Sequence, residues 1–240
     1  MLVTVRICLL SILIASGASG LRANVSQTAA EAAGETRIEF VAADGATLRA
    51  AYASPGKPGP GMILLHQCDM DRRAWDSLSG ALAASGVHVI AADYRGVGEN
   101  RGLPADYSQR VADVEAAFAA LTSRRGVDPN RIAVGGASCG VAHAVEFARR
   151  NGHVKALALL SGPASDAGLA YIQEHNLPVF FAYSADEGGP LPGTRLALQS
   201  STNPATTVKV YNQAGHGVRM FAAQPTLQAD LVAWVVGVLK

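Results

Sequence analysis

Short apolar runs alternate along this chain with longer segments of helical spacing. Residues 36–55, TRIEFVAADGATLRAAYASP, read as two alternating strands around Asp44-Gly45, a strong hairpin signal. GMILLHQ at 61–67 is continuously apolar, as expected of a strand buried on both faces. Helical spacing follows from Trp75 to Ala84, then a buried strand at 87–96 (VHVIAADYRG) and a helix at 111–125. RIAVGGASCGVAHAVEFA at 131–148 reads as an apolar strand, a glycine-pinched turn with Ser138 at its apex, and a helix. VKALALLSG (154–162), PVFFAYSADEGG (178–189) and TTVKVYNQAGHG (206–217) are apolar strands that each end in a polar or glycine-rich loop. An amphipathic helix from Leu227 to Leu239 closes the chain. Strands alternating with helices predict an α/β fold: a mostly parallel, doubly wound sheet with an antiparallel hairpin at its N-terminal end. In such sheets ligands bind where strands end, so the loops after the 61, 87, 132, 178 and 206 strands should converge on one surface. Only 15 residues separate Gly162 from Pro178. That is room for one short helix and no large lid.

The first 20 residues differ in kind. Arg6 precedes an apolar run from Ile7 to Ala15, and small residues follow around Ser16, Gly17 and Ala18. That layout is a signal peptide, with cleavage expected between residues 18 and 23; an uncleaved membrane anchor is the competing reading, and the apolar run is short for it. Residues 24–35 read as a flexible lead-in, leaving 36–240 as the folded domain. The expected location is periplasmic or extracellular, with no stable membrane insertion once the signal is removed. Cys8 leaves with the signal, so the exported chain keeps two cysteines, Cys68 and Cys139, in an oxidising compartment.

Composition narrows the function classes. A chain of 240 residues with 49% hydrophobic content suits one well-filled core. The formal net charge is +1 with no basic stripe, so nucleic-acid binding has no electrostatic support.

Gly136-Ala137-Ser138-Cys139-Gly140 fits the G-x-S-x-G turn, in which the serine occupies a strained strand-to-helix bend. The strain turns the serine oxygen out of the sheet, and the positions two before and two after it must lack bulk. Two partners follow in chain order: Asp186 in the loop after the 178 strand, and His216 in Ala214-Gly215-His216-Gly217 after the last strand. His216 would take the serine proton, while Asp186 would fix the imidazole tautomer. Glu187 competes with Asp186; the latter is preferred as nearer the strand end, with Gly188-Gly189 following.

These motifs together resemble the α/β-hydrolases, and especially the small lidless dienelactone hydrolases and related esterases. They include the Leu64-Leu65-His66 strand end and Asp93-Tyr94-Arg95-Gly96, and the resemblance runs from Thr36 to Lys240. It implies hydrolysis of a small carboxylic ester or lactone through an acyl-serine, with no cofactor. It also implies an oxyanion hole built from the backbone amides of Cys68 and Cys139. Dienelactone hydrolases use a cysteine nucleophile, which makes Cys139 a rival to Ser138. Centred on Cys139, however, the small positions become Ala137 and Val141, and a β-branched valine fits poorly. This chain has His66-Gln67-Cys68 where the family usually carries glycine after the histidine. Gln67 is either a further side-chain donor to the hole or a plain loop residue. If Cys68 and Cys139 share the hole they are near enough for a disulfide; two buried free thiols are the plainer alternative. A silent binding protein that kept the fold is the alternative to an enzyme.

His66 reads as structural. His88, His143, His153 and His175 belong to no motif and read as surface or helix residues; no metal-ligand spacing occurs, so no metal is expected. Gly96-Val97-Gly98 reads as a turn rather than a phosphate loop, since no helix opens from it.

Overall fold

The computed structural model describes residues 35–187 and 192–240. The expected signal peptide and residues 24–34 of the expected lead-in lie outside the described residues, as do Gly188 and Gly189, while Glu35, read as the end of the lead-in, opens β1. Eight strands form one sheet: β1 (Glu35–Val41), β2 (Thr47–Ala53), β3 (Gly59–Leu65), β4 (His88–Ala92), β5 (Val127–Ala137), β6 (Val154–Leu160), β7 (Val179–Ser184) and β8 (Thr207–Tyr211). Their order is β1-β2-β4-β3-β5-β6-β7-β8. The β1–β2 hairpin is antiparallel and pairs antiparallel with β4, and every later pairing is parallel. The hairpin turns where Asp44-Gly45 predicts: Gly45 sits at φ 85°, and the Asp44 carboxylate accepts from the Ala46 amide at 3.1 Å.

The helices are α1 (Asp76–Ala84), α2 (Arg110–Thr122), α3 (Cys139–Asn151), α4 (Asp166–Glu174), α5 (Pro192–Gln199), α6 (Met220–Ala223) and α7 (Leu227–Val238). Strand periodicity of two divides the core. In β3, Ile63 and Leu65 join the cluster that holds Val114 and Leu121 of α2 and Val141 and Ala144 of α3. Met62 and Leu64 join the opposite cluster with Leu78 and Leu82 of α1 and Leu227, Leu231 and Val235 of α7. The sheet is therefore covered on both faces, which is why β3 and β7 read as near-continuous apolar runs and β6 is interrupted only by Lys155 near its start. No large lid interrupts the described residues. The single helix expected between Gly162 and Pro178 is α4, whereas α5 is not visible in the sequence pattern.

One histidine departs from expectation. His88 is neither on the surface nor in a helix. It begins β4 almost fully buried, bonded to the Tyr52 hydroxyl at 2.7 Å and to the Lys57 carbonyl at 3.1 Å. Trp75 is core, 1% exposed, beneath the loop that follows β3. The turn after β4 wraps a carboxylate: Asp93 accepts from the amides of Arg72 at 2.8 Å and Glu99 at 2.9 Å. A Cβ on Gly98 would strike that carboxylate, so Gly96-Val97-Gly98 serves this turn. Arg95 ties the hairpin to α2, binding Asp44 at 2.9 Å and Asp113 at 2.6 Å.

Candidate functional site

Ser138 follows the end of β5 and caps α3 with φ 52° and ψ −118°, a backbone conformation that L side chains rarely adopt. The neighbours enforce it. A Cβ on Gly136 would lie 2.3 Å from the Gly140 carbonyl oxygen, and one on Gly140 would lie 2.4 Å from the Leu65 carbonyl oxygen. Both approaches are impossible for any other residue, which is the physical content of the two glycines. The Ser138 amide is fixed to the Leu160 carbonyl of β6 at 2.8 Å. Strain at this serine is thus held by packing on three sides.

His216 lies in the loop after β8, its side chain 43% exposed. Its Nδ1 is bonded to Glu187 Oε2 at 2.8 Å. The other oxygen, Oε1, accepts from the Ser161 hydroxyl at 2.6 Å and the Ser184 amide at 3.0 Å. The Glu187 side chain is only 11% exposed. All its oxygens are committed, and an ionised carboxylate in that setting makes His216 Nδ1 the donor and leaves Nε2 as the basic nitrogen.

The carboxylate that meets His216 is therefore Glu187, where the sequence reading preferred Asp186. Asp186 turns the other way: it accepts from the Ser184 hydroxyl and, at 2.8 Å, from the Gln213 amide. Those two bonds hold its carboxyl below the usual range and serve to join the acid loop to the histidine loop.

The histidine loop abuts the serine turn. A Cβ on Gly217, the residue after His216, would stand 3.5 Å from the Ala137 Cβ. Ser138 Oγ and His216 Nε2 are not hydrogen-bonded to each other among the described residues. In unliganded hydrolases that bond is often long and tightens only with substrate bound.

Gln67 does not serve as a donor to the hole, contrary to one expectation. It is fully buried; its Oε1 accepts from the Val218 amide at 3.1 Å and its Nε2 donates to Asp69 at 2.7 Å. It is a strut between the loop after β3 and the histidine loop. His66 is structural, as expected. Its Nδ1 faces the Gln67 carbonyl at 2.8 Å and its Nε2 accepts from the Tyr94 amide at 3.2 Å. Burial lowers its pKa, which suits the neutral ring these bonds require.

Cys68 and Cys139 form a disulfide, with Cα atoms 5.9 Å apart. The bridge joins the residue after Ser138 to the loop after β3, and neither cysteine amide has a hydrogen-bond partner among the described residues. It closes 71 residues of chain. In the chain-entropy account a loop of that size adds about 4 kcal/mol. Cys68→Ala with Cys139→Ala should accordingly lower the unfolding free energy by about 2–4 kcal/mol, read from denaturant midpoints. An unchanged midpoint would mean that the bridge constrains nothing.

Three further residues escape sequence reasoning. Ser161, just after β6 at φ 52°, and Ser184, at the end of β7, hold the Glu187 carboxylate without belonging to any sequence motif, and Arg110 opens α2 without one either. Among the described residues no group of three or more His, Cys, Asp or Glu side chains is placed to hold a metal ion.

A family model described as serine aminopeptidase, S33, matches residues 57–182, more than half of the chain. The chain belongs to this family of α/β-hydrolases. The matched span includes Ser138 but ends before Glu187 and His216, so the Glu187–His216 contact is read from this structure. The protein is similar to an uncharacterized protein of Mycobacterium tuberculosis, Rv2307c, at 39% identity over 93 residues, 39% of this chain and 33% of that one. It is similar to the thiohydrolase aneE of Aspergillus aculeatus at 27% identity over 186 residues, 75% of this chain and 56% of that one. The chain thus spans about a third to just over half the length of these relatives. Among solved structures it resembles the Pyrococcus furiosus esterase Pf2001, with a TM-score of 0.71 and 15% identity, covering 88% of this chain and 94% of that one. It also resembles a dienelactone hydrolase-like promiscuous phosphotriesterase from metagenomic libraries, with a TM-score of 0.66 and 20% identity, covering 86% and 99%. The likeness to these structures is one of fold, that of the α/β-hydrolases.

Proposed function

We propose that this protein is an exported serine hydrolase that cleaves a small carboxylic ester or lactone through an acyl-Ser138 intermediate. The observation that carries the reading is the Glu187–His216 pair, held in a loop packed against the strained Ser138 turn. Ser138 Oγ attacks the carbonyl carbon while His216 Nε2 takes its proton, and Glu187 steadies the resulting imidazolium. The oxygen that becomes negative is met by the amides of Cys68 and Cys139, the latter at the positive end of α3. Collapse of the intermediate expels the alkoxide, which receives the proton from His216. Water then repeats the sequence on the acyl-serine and releases the acid; a lactone gives a hydroxy acid.

The cysteine nucleophile is disfavoured because the Cys139 sulfur is spent in the bridge. The bridge also supports export, since such bonds persist in oxidising compartments. An aminopeptidase needs a negative group to receive the substrate's ammonium. The buried charge beside the bridge is instead the Arg110 cation. A fluorophosphonate probe tests the reading: the folded protein should be labelled on Ser138, located by peptide mass. No labelling would leave the silent binding protein as the better description.

A further inference from the structure

The disulfide beside Ser138 lies against a buried cation that lacks a counter-charge. Arg110 is 4% exposed, its guanidinium stacked 4.3 Å from the Tyr94 ring centre and 3.9 Å from that of Tyr107. Its Nη1 donates to Cys68 Sγ at 3.4 Å and lies 3.3 Å from His143 Nε2. The other buried guanidinium groups are paired with carboxylates: Arg72 with Glu35 and Glu99, and Arg95 with Asp44 and Asp113. Among the described residues no carboxylate lies within ion-pair distance of Arg110. Burial, reinforced by the guanidinium itself, holds His143 down to about 4, so that neighbour is neutral. His66 is likewise held neutral by burial. Asp69, next to Cys68 in the chain, gives its charge elsewhere, to Arg219 at 2.9 Å and to Gln67 at 2.7 Å.

A disulfide sulfur is a weak acceptor, and two tyrosine rings offset only part of the cost of a buried cation. A thiolate on Cys68 would complete the pair. The other sulfur has its own source of stabilisation: Cys139 is the first residue of α3, and a helix N-terminus favours the ionised form of a thiol placed there. The bridge is also open to attack, since Cys68 is exposed and Cys139 half-buried. We propose that Cys68–Cys139 is a redox-active bridge that exchanges with thiol reductants, and that the hydrolase is active with the bridge closed.

For a dithiol reductant the exchange runs in two steps. One reductant thiolate attacks the exposed Cys68 sulfur; the S–S bond breaks and its electron pair leaves on Cys139, at the positive end of α3. The second reductant thiolate attacks the reductant sulfur of the mixed disulfide. That closes the reductant's own disulfide and expels Cys68 as a thiolate, which Arg110 receives. Two electrons have passed to the protein and the reductant's protons have gone to solvent. Leaving groups of low pKa speed both steps, and a stabilised reduced form makes the bridge more oxidising than one that only staples the chain. In the proposed mechanism the amides of both cysteines face the developing oxyanion. Opening the bridge unties them and sets a negative sulfur nearby, which opposes the charge that forms there. This consequence rests on the acyl-serine reading; the exchange does not.

The test equilibrates the protein with glutathione buffers of graded ratio, two glutathiones taking the part of the dithiol. Free thiols are counted after acid quenching, and kcat is read on p-nitrophenyl butyrate. The bridge should open, giving two new thiols per chain, while kcat falls in step by about 10-fold and recovers on reoxidation. A purely structural bridge resists the glutathione couple, and that result would overturn the proposal. So would opening with kcat unchanged. Arg110→Met should make opening about 10-fold less favourable at neutral pH, the effect of returning a thiol from about 6 to its ordinary value; that is about 30 mV for this couple. Arg110→Lys should recover part of it, and an opening constant that ignores Arg110→Met would reject the counter-ion role. Should Arg110→Met fail to fold, Cys139→Ala decides. Its freed Cys68 should show ultraviolet thiolate absorption at neutral pH that Cys68→Ala with Cys139→Ala lacks, and a protonated Cys68 would reject the pairing. The kcat of that double variant should ignore glutathione; a response there would place the reductant's target elsewhere. Absence of hydrolysis by either form would count against the acyl-serine reading, while the thiol counts and the Arg110 variants would still decide the exchange.

Discussion

Ser138→Ala should abolish ester turnover, lowering kcat by about 10⁵- to 10⁶-fold while leaving the fold intact, as loss of the nucleophile does in other serine hydrolases. The side chain is half-buried on a turn whose geometry is imposed by Gly136, Gly140 and the bond to Leu160, so truncation at Oγ removes no packing of consequence. Cys139→Ala makes the informative contrast. It breaks the bridge to Cys68 but keeps the backbone amide that, in the proposed mechanism, faces the developing oxyanion, so turnover should fall by roughly 10-fold or less, in line with loosened rather than deleted stabilisation. The measurement is kcat on p-nitrophenyl butyrate, with far-ultraviolet circular dichroism to verify folding. Full activity in Ser138→Ala beside an inactive Cys139→Ala would transfer the nucleophile to the cysteine and sink the assignment.

What the sequence discloses and what it conceals divide along a physical line. The sheet is legible because its central strands are buried on both faces and must be apolar throughout, as in β3 and β7. The Ser138 turn is legible because its strained geometry excludes every side chain at Gly136 and Gly140, a demand that leaves its mark within five residues. Choosing between Asp186 and Glu187 is different. Two adjacent carboxylates leave one loop, and their directions are set by Ser161, Ser184 and Gln213, groups on three separate elements. Closeness to the strand end argues for Asp186, yet that short side chain satisfies Ser184 and the Gln213 amide, while the longer glutamate reaches the imidazole. Gln67 is hidden for the same reason: its partner Val218 lies 151 residues away. Arg110 is hidden because what distinguishes it is the lack of a carboxylate partner in three dimensions, and a one-dimensional pattern does not register that.

The reassignment of the acid carries the second large expected effect. Glu187→Gln should lower kcat by about 10³- to 10⁴-fold with little change in KM, comparable to amide replacement of a triad carboxylate elsewhere. The amide presents an N–H where the carboxylate oxygen now receives the His216 Nδ1 proton, favouring the tautomer that keeps Nε2 protonated and unable to accept from Ser138. Oε1 would still accept from Ser161 and Ser184, so the loop should keep its place and the melting temperature should change little. Asp186→Asn separates the two carboxylates. Its role is to receive the Ser184 hydroxyl and the Gln213 amide on one oxygen, Oδ1, and an asparagine oxygen preserves both bonds. That variant should keep kcat within about 10-fold of wild type, the loss being the charge on those two bonds, roughly 1 kcal/mol. The reverse ranking, with Asp186→Asn inactive and Glu187→Gln competent, would return the acid to Asp186. It would also require the loop at 185–187 to reorganise on binding substrate, because Asp186 as placed holds Ser184 and Gln213, with the imidazole bonded to its neighbour.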